Sequence, residues 1–216
     1  MWIEFFKMWI TEKKRRKTVN KKRKTVNKKR KRNICMKKIT LPLTEEIVES
    51  LTAGDEVLLN GYMYVARDAA HKRLMELLEQ KKPLPIDLKN ETIYYMGPSP
   101  AREGNIIGSA GPTTASRMDK YTPEFMKQGL RGMVGKGKRS PEVLASIKKY
   151  NGVYFAAIGG AGALLSKCIK SSEIVCYEDL GAEAIRRVYV EDFPVFVVAD
   201  NQGNDLYQTA YLEYQR

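Results

Sequence analysis

The sequence predicts a mixed α/β domain of about seven strands, with a mixed sheet covered by helices. Three observations carry this. Strand-like apolar runs alternate with helix-start signals along most of the chain. Several of those runs, VYFAAI (153–158) the clearest, lack polar alternation and so read as strands buried on both faces. A length of 216 residues with 43% hydrophobic content is enough for one domain with a substantial core.

The elements follow in order. Thr44 ahead of EEIVESL reads as the N-cap of a short helix with acidic residues in its first turn. EVLLN and YMYVA flank Asn60-Gly61, the signature of a tight hairpin. Asp68 is placed to cap the helix AAHKRLMELLEQ, whose Leu74, Leu77 and Leu78 form an apolar stripe ending before Pro83. TIYYM (92–96) is a strand stopped by GPSP. Thr122-Pro123-Glu124 starts another helix, with proline at its first position. GMV leads into a GKGK loop (135–138), and Ser140-Pro141-Glu142 repeats the start signal for a helix through Lys149. VYFAAI runs into GGAGA and a helix through Lys170, and EIVCYE, RRVYV and VFVVAD supply three more strands.

Charge divides the chain in two. Residues 1–35 carry fifteen Lys or Arg against two Glu, a net +13 that equals the formal charge of the whole chain. Residues 36–216 balance, so the strongly basic character belongs to a leader and not to the domain. Within that leader RKTVNKK occurs at 16–22 and again at 23–29. Each unit offers one apolar residue, Val19 or Val26, too few for a coiled-coil seam, and charge repulsion predicts disorder. One reading is a tail for nucleic acid or a membrane surface. The other is a dispensable extension, because Met36 opens MKKITLPLTEEI, which reads as a natural protein start. The expected organisation is a basic leader over 1–35 and a working domain over 36–216. The apolar stretch at the N-terminus precedes its positive charges, the wrong order for a secretory signal. No apolar run approaches the roughly 20 residues of a membrane span. Nucleic-acid binding would rest wholly on the leader, since the balanced domain lacks a basic stripe.

Three cysteines (Cys35, Cys168, Cys176) and one histidine (His71) leave this chain poorly supplied with ligands for zinc or an iron–sulfur cluster. They also fit a reducing, cytoplasmic setting. Four loops, in contrast, suit an anion: Arg67-Asp68-Ala69-Ala70-His71, GPTTASRMD (111–119), GKGK (135–138) and Gly159-Gly160-Ala161-Gly162. Loops that open helices present backbone N–H groups and a positive dipole end, arginine adds a planar fork for a carboxylate, and lysine adds a compact charge. Each has a structural alternative. Arg67 can pair with Asp68 or an acid elsewhere, His71 can be a packed histidine, and Thr113 or Thr114 can be a helix cap. GKGK fails the phosphate-binding P-loop pattern, having Leu130 where a glycine is needed and Gly137 after the lysine. GGAGA fails the dinucleotide spacing.

Taken together and in order, ARDAAHKRL (66–74), IYYMGP (93–98), GPTTASRMD, VGKGKRS (134–140), GGAGALLSKCIK (159–170) and EDLGAEAI (178–185) resemble the C-terminal domain of class I fumarases, a separate beta subunit in many organisms. The L(+)-tartrate dehydratase beta subunit belongs to the same group. The resemblance runs from about residue 38 to 210. It implies a swivelling β/β/α fold and a hydro-lyase that converts fumarate and L-malate, or tartrate to oxaloacetate. It also implies a partner alpha subunit carrying a [4Fe–4S] cluster, with dimerised alpha–beta units. Matched motif by motif, Arg67 and Arg117 resemble the arginines that hold the substrate carboxylates, and Lys136 resembles a lysine that does likewise. Thr113 resembles the threonine proposed as base, with Thr114 beside it in the substrate site, while Asp68, His71 and Asp119 orient these groups. RMD ending at Asp119, the Asp68-to-His71 spacer and DKYTPEF are more similar to the fumarases. The distant alternative is a non-catalytic assembly subunit with a nucleic-acid-binding tail.

Overall fold

The computed structural model describes residues 36–212; the expectations for the leader and Cys35 fall outside them. Seven strands are described: β1 (Lys37–Thr40), β2 (Glu56–Val65), β3 (Thr92–Tyr94), β4 (Gly132–Gly135), β5 (Val153–Ala156), β6 (Ile169–Cys176) and β7 (Ile185–Ala199). The helices are α1 (Glu45–Glu49), α2 (Asp68–Glu79), α3 (Thr122–Lys127), α4 (Pro141–Lys149), α5 (Gly162–Cys168) and α6 (Leu206–Thr209). Two 3₁₀ segments, Ala115–Met118 and Glu178–Glu183, complete the set. The class is mixed α/β, as the alternation of signals predicts.

The sheet runs β1-β2-β3-β4-β5-β7-β6, and β2 also pairs with β7. Strands β2 to β5 are parallel to one another, and β7 runs antiparallel to both β2 and β5. Five strands therefore close into a barrel-like ring, with β1 added on β2 and β6 on β7. This closure was not legible locally, because it joins Glu56–Val65 to residues more than 120 positions later.

Closure gives the ring strands two buried faces. Alternate residues divide cleanly: Tyr94 and Met96 join a core with Val57, Leu59, Val134, Phe155 and Phe193. Ile93 and Tyr95 join a second core beneath the helices with Leu74, Phe125, Met133, Ile147 and Tyr154. The period-2 geometry of a strand sends successive side chains to opposite faces, and here both faces are apolar.

Two expectations fail at one place. Asn60-Gly61 makes no hairpin: β2 continues straight through it for ten residues. A type I′ turn needs positive φ at both central residues, and only Gly61 (φ 115) has it. The pair forms a bulge in the register with β7, and Asn60 Oδ1 accepts from Asp192 N at 2.9 Å. Opposite it, RRVYV and VFVVAD are not two strands but one, β7, bent at Asp192 (φ 47). β1 and β4, neither read as a strand in the sequence, restore the count of seven; only Ile39 of the four residues of β1 is buried, so it shows no alternation.

Helix starts are mixed. Ser140 caps α4 as expected, its hydroxyl accepting from Val143 N at 3.4 Å, and Thr44 does the same for α1 from Ile47 N. Thr122 is the first residue of α3 and not its cap; its hydroxyl donates to Met118 O at 2.9 Å. Asp68 is likewise inside α2, and the preceding Arg67 gives no side-chain cap. Glu183 supplies it, with Oε2 accepting from Ala69 N at 2.8 Å.

Candidate functional site

Parallel strands deliver their following loops to one edge. Arg67 follows β2, Gly97 follows β3, Lys136 follows β4 and Gly159 follows β5. These strands are neighbours in the sheet, so the four loops share the carboxyl edge, where open parallel sheets commonly bind ligands. The GPTT segment is laid across the same edge by backbone bonds. Thr113 N donates to Tyr95 O (2.7 Å), Lys136 N to Thr113 O (3.2 Å) and Ala115 N to Lys136 O (2.9 Å). Thr113, Thr114 and Lys136 are thereby bound into one short ladder.

Small residues make this approach possible. A Cβ on Gly135 would stand 3.0 Å from both Ala115 Cβ and the Tyr95 ring. One on Gly162 would stand 2.3 Å from Ser109 Oγ and 2.9 Å from Gly111 N, so the third and fourth glycine loops close against the GPTT loop only without side chains. One on Gly97 would meet Arg67 Nη1 at 2.3 Å, so the Arg67 side chain packs directly against that backbone.

The cations fall in two groups joined by the 3₁₀ segment Ala115–Met118. Arg117 Nη2 lies 3.1 Å from Asp68 Oδ2, and Arg67 Nε lies 3.8 Å from the same oxygen. Asp68 therefore bridges the two arginines. Arg67 Nη2 also donates to Glu183 Oε1 at 2.6 Å. Lys136 is exposed, as are Thr114 and Arg117, while Arg67, Asp68 and Thr113 are half-buried. Thr114 occupies the cap position of the 3₁₀ segment but makes no side-chain cap bond, which leaves its hydroxyl unspent there. The edge can hold anionic groups between Arg67, Arg117 and Lys136, with hydroxyls from the GPTT turn beside them.

Asp119 and His71 lie beneath this surface. Asp119 Oδ1 accepts from Arg139 Nε (2.6 Å) and Oδ2 from Ser140 N (2.7 Å). The Arg139 side chain is 1% exposed. Its guanidinium donates to Thr122 Oγ1 at 2.8 Å and lies over the rings of Tyr154 and Tyr95. Gly137 is pinned from both sides, since its N–H donates to Tyr207 Oη (3.1 Å) and its carbonyl accepts from Tyr154 Oη (3.0 Å). His71 is fully buried among Tyr95, Tyr121 and Phe125. A carbonyl only accepts, so the 2.9 Å contact to Arg67 O puts the proton on Nδ1 and leaves Nε2 bare, without a partner. Burial, reinforced by the charge of Arg139, pushes the imidazole down to about 4 against the opposing pull of the Arg67 carbonyl and Asp68.

Sequence reasoning missed Glu183, Arg139 and the two tyrosine hydroxyls on Gly137. Arg139 sits inside VGKGKRS and Glu183 inside EDLGAEAI, but nothing local indicates that either reaches a loop elsewhere in the chain. A cavity of about 700 Å³ lies to one side, between residues 99–109 and α5; none of the expected site residues lines it. Among the described residues no group of three His, Cys, Asp or Glu is placed to hold a metal ion. Cys168 is the last residue of α5 and Cys176 the last of β6, so the length of that strand, roughly 25 Å, separates them. They cannot ligate one cluster together, so the described residues do not fit an iron–sulfur centre. No helix among the described residues is long and apolar enough to cross a membrane.

Comparison with known proteins identifies the family. The family model described as Fumarase C-terminus matches residues 5–210. The chain is 44% identical over 156 residues to Fumarate hydratase 2 of Leishmania major, covering 71% of this chain and 28% of that protein. It is 42% identical over 179 residues to the aerobic class I fumarate hydratase of Escherichia coli K12, covering 82% of this chain and 32% of that protein. It is 38% identical over 172 residues to a protein named putative L(+)-tartrate dehydratase subunit beta from Methanocaldococcus jannaschii, covering 77% of this chain and 88% of that protein. The chain thus spans about a third of the fumarate hydratases it matches, and most of the tartrate dehydratase subunit.

Proposed function

The chain belongs to the fumarase C-terminus family, and from that premise we propose that it is the beta subunit of a hydro-lyase acting on a small dicarboxylate. The observation that carries the reading is the convergence of Arg67, Arg117, Lys136, Thr113 and Thr114 on one edge of the sheet. Two carboxylates spaced by two carbons need two separated cationic clamps. The arginine pair and the Lys136 loop supply them. The substrate proposed is fumarate, hydrated reversibly to L-malate. A second reading, tartrate dehydration, is favoured by the match to nearly the full length of a tartrate dehydratase beta subunit. The closed ring with its flanking strands corresponds, on this reading, to the swivelling β/β/α domain.

The described residues hold no cluster ligand set, so the [4Fe–4S] group implied by the family is assigned to a partner alpha subunit, in a hetero-oligomer of dimerised alpha–beta units in the cytoplasm. What this chain contributes is carboxylate binding and proton handling. Arg67 and Arg117 clamp one carboxylate and Lys136 the other. Thr113 is assigned the proton at the carbon next to a carboxylate. An alkoxide-like oxygen is stabilised there only by nearby positive charge and exclusion of water. Lys136 and Arg117 provide the charge; both are exposed here, and a docked partner would cover them. Residues 36–216 are taken as the working domain, and a native protein whose N-terminal sequence began at Met1 would speak against treating the leader as dispensable.

The test is co-expression of the chain with its cluster-bearing partner, anaerobic purification, and fumarate absorbance with L-malate as substrate, with L-tartrate in parallel. Turnover of malate by the two-chain sample alone supports the proposal. Turnover of tartrate alone moves the assignment to the second reading. Activity from the partner by itself would remove the catalytic role.

A further inference from the structure

We propose that Glu183 is a positioning residue that fixes the Arg67 guanidinium for the substrate carboxylate; the inference rests on the proposed reading of Arg67 as a carboxylate clamp. One carboxylate serves two donors. Oε1 accepts from Arg67 Nη2 at 2.6 Å and Oε2 from Ala69 N at 2.8 Å. The second bond ties Glu183 to the first turn of α2, the turn that Arg67 opens in extended backbone (φ −144, ψ −154) without capping it. The first bond then holds the guanidinium at a set distance from that turn. Gly97 closes the other side, because a Cβ there would stand 2.3 Å from Nη1.

Glu183 ends the 3₁₀ segment Glu178–Glu183, which is kinked at Gly181 (φ 56, ψ −111), and Ala184 N donates to Gly181 O at 3.2 Å. Ala184 and Ile185 after it are buried, and Ile185 begins β7. The carboxylate thus stands two residues before the closing strand of the ring and reaches across 116 positions to the loop after β2. The pair is about a quarter exposed on each side, sheltered enough to keep one geometry. A guanidinium has five N–H donors, and the single bond to Glu183 leaves others free for a ligand. Asp68, at 3.8 Å from Nε, is too far for a hydrogen bond and does not fix the plane.

A helix cap alone would also place a carboxylate at Ala69, and the two roles predict different kinetics. In the assembled two-chain enzyme, Glu183→Ala is expected to raise KM for the dicarboxylate roughly tenfold, with a smaller fall in kcat, through the coupling typical of adjacent charged groups. Glu183→Gln keeps an acceptor for Ala69 N–H, so it preserves the fold while weakening the hold on Arg67; its KM should lie between the two. In an Arg67→Ala background, Glu183→Ala should add less than a twofold further loss. Wild-type KM in Glu183→Ala would overturn the proposal. So would a full, independent loss on top of Arg67→Ala, which would mark Glu183 as a cap and nothing more. If Arg67→Ala itself kept full activity, the reading of the site would fall, whatever the Glu183 variants did.

Discussion

Replacing Asp119 by alanine should destabilise the domain and disable its site together. The Asp119 carboxylate takes two bonds, from Arg139 Nε and Ser140 N. Its partner is almost wholly enclosed, with the Arg139 side chain 1% exposed and that of Asp119 12%. Removing one member of such a buried pair leaves an uncompensated charge and costs about 3–5 kcal/mol. For a domain of this size each kcal/mol lowers the melting midpoint by about 2–4 °C, so a drop on the order of 10 °C is expected by circular dichroism. Asp119→Asn keeps one acceptor and should fall between. Exchanging both partners for apolar groups, Asp119→Leu with Arg139→Met, should recover much of the stability, because the penalty comes from the stranded cation and not from the loss of attraction. Asp119 stands two residues after Arg117, and Arg139 three after Lys136. The pair therefore ties together the two segments that carry those cations, and on the proposed reading turnover in the two-chain enzyme should fall with the single change. An Asp119→Ala protein melting within about 2 °C of wild type would refute the argument.

Two further outcomes follow from the same geometry. His71 has an ordinary value of 6.5 and a folded value of about 4, so below pH 6.5 the unfolded chain binds the proton first. Stability is then fully present above pH 6.5 and falls as pH drops toward 4, by about 3 kcal/mol in total. His71→Asn, which keeps a donor toward Arg67 O, should flatten the slope of unfolding free energy against pH in denaturant titrations between pH 6.5 and 4.5; an unchanged slope would exclude His71 as its source. Gly162→Ala would drive a Cβ to 2.9 Å from the backbone nitrogen of Gly111. Overpacking of this kind costs about 1–3 kcal/mol, and because the strain falls on the GPTT loop, kcat/KM in the assembled enzyme should drop by a larger factor than stability suggests, on the order of tenfold or more.

The parts of the fold written in consecutive residues were legible. Ser140-Pro141-Glu142 announces α4, and the unalternating run at Val153–Ala156 announces a strand buried on both faces. The parts that depend on distant partners were not. Asn60-Gly61 carries the residues of a hairpin turn, but β7 is available along the whole of β2, and pairing with it converts the turn into a bulge. The same bend splits β7 into two apparent strands. β1 escapes notice because three of its four residues face solvent. At the candidate site the pattern repeats. The arginines, the lysine and the two threonines stand in recognisable motifs, whereas the caps and counter-charges that hold them, Glu183 and Arg139, are chosen by the ring closure and by the crossing of loops.

Charge at the edge indicates how far this chain goes alone. Arg67 and Arg117 face Asp68 and Glu183, so the arginine pair is offset by two carboxylates already in place, while Lys136 stands on the loop after β4. Asp68 sits between the arginines, at 3.1 and 3.8 Å, where an incoming carboxylate would compete with it. In water such exposed pairs are weak, and displacement of Asp68 from Arg117, which is 49% exposed, costs little. Thr113 is only half-buried, so water still reaches a hydroxyl that is a poor base when solvated. Both features change in one direction if the edge is covered. A low dielectric strengthens the hold of the three cations on a dianion and favours the charged form of a nearby oxygen. On the proposed reading, the two-chain assembly makes the site catalytic by drying an arrangement that this chain has already built.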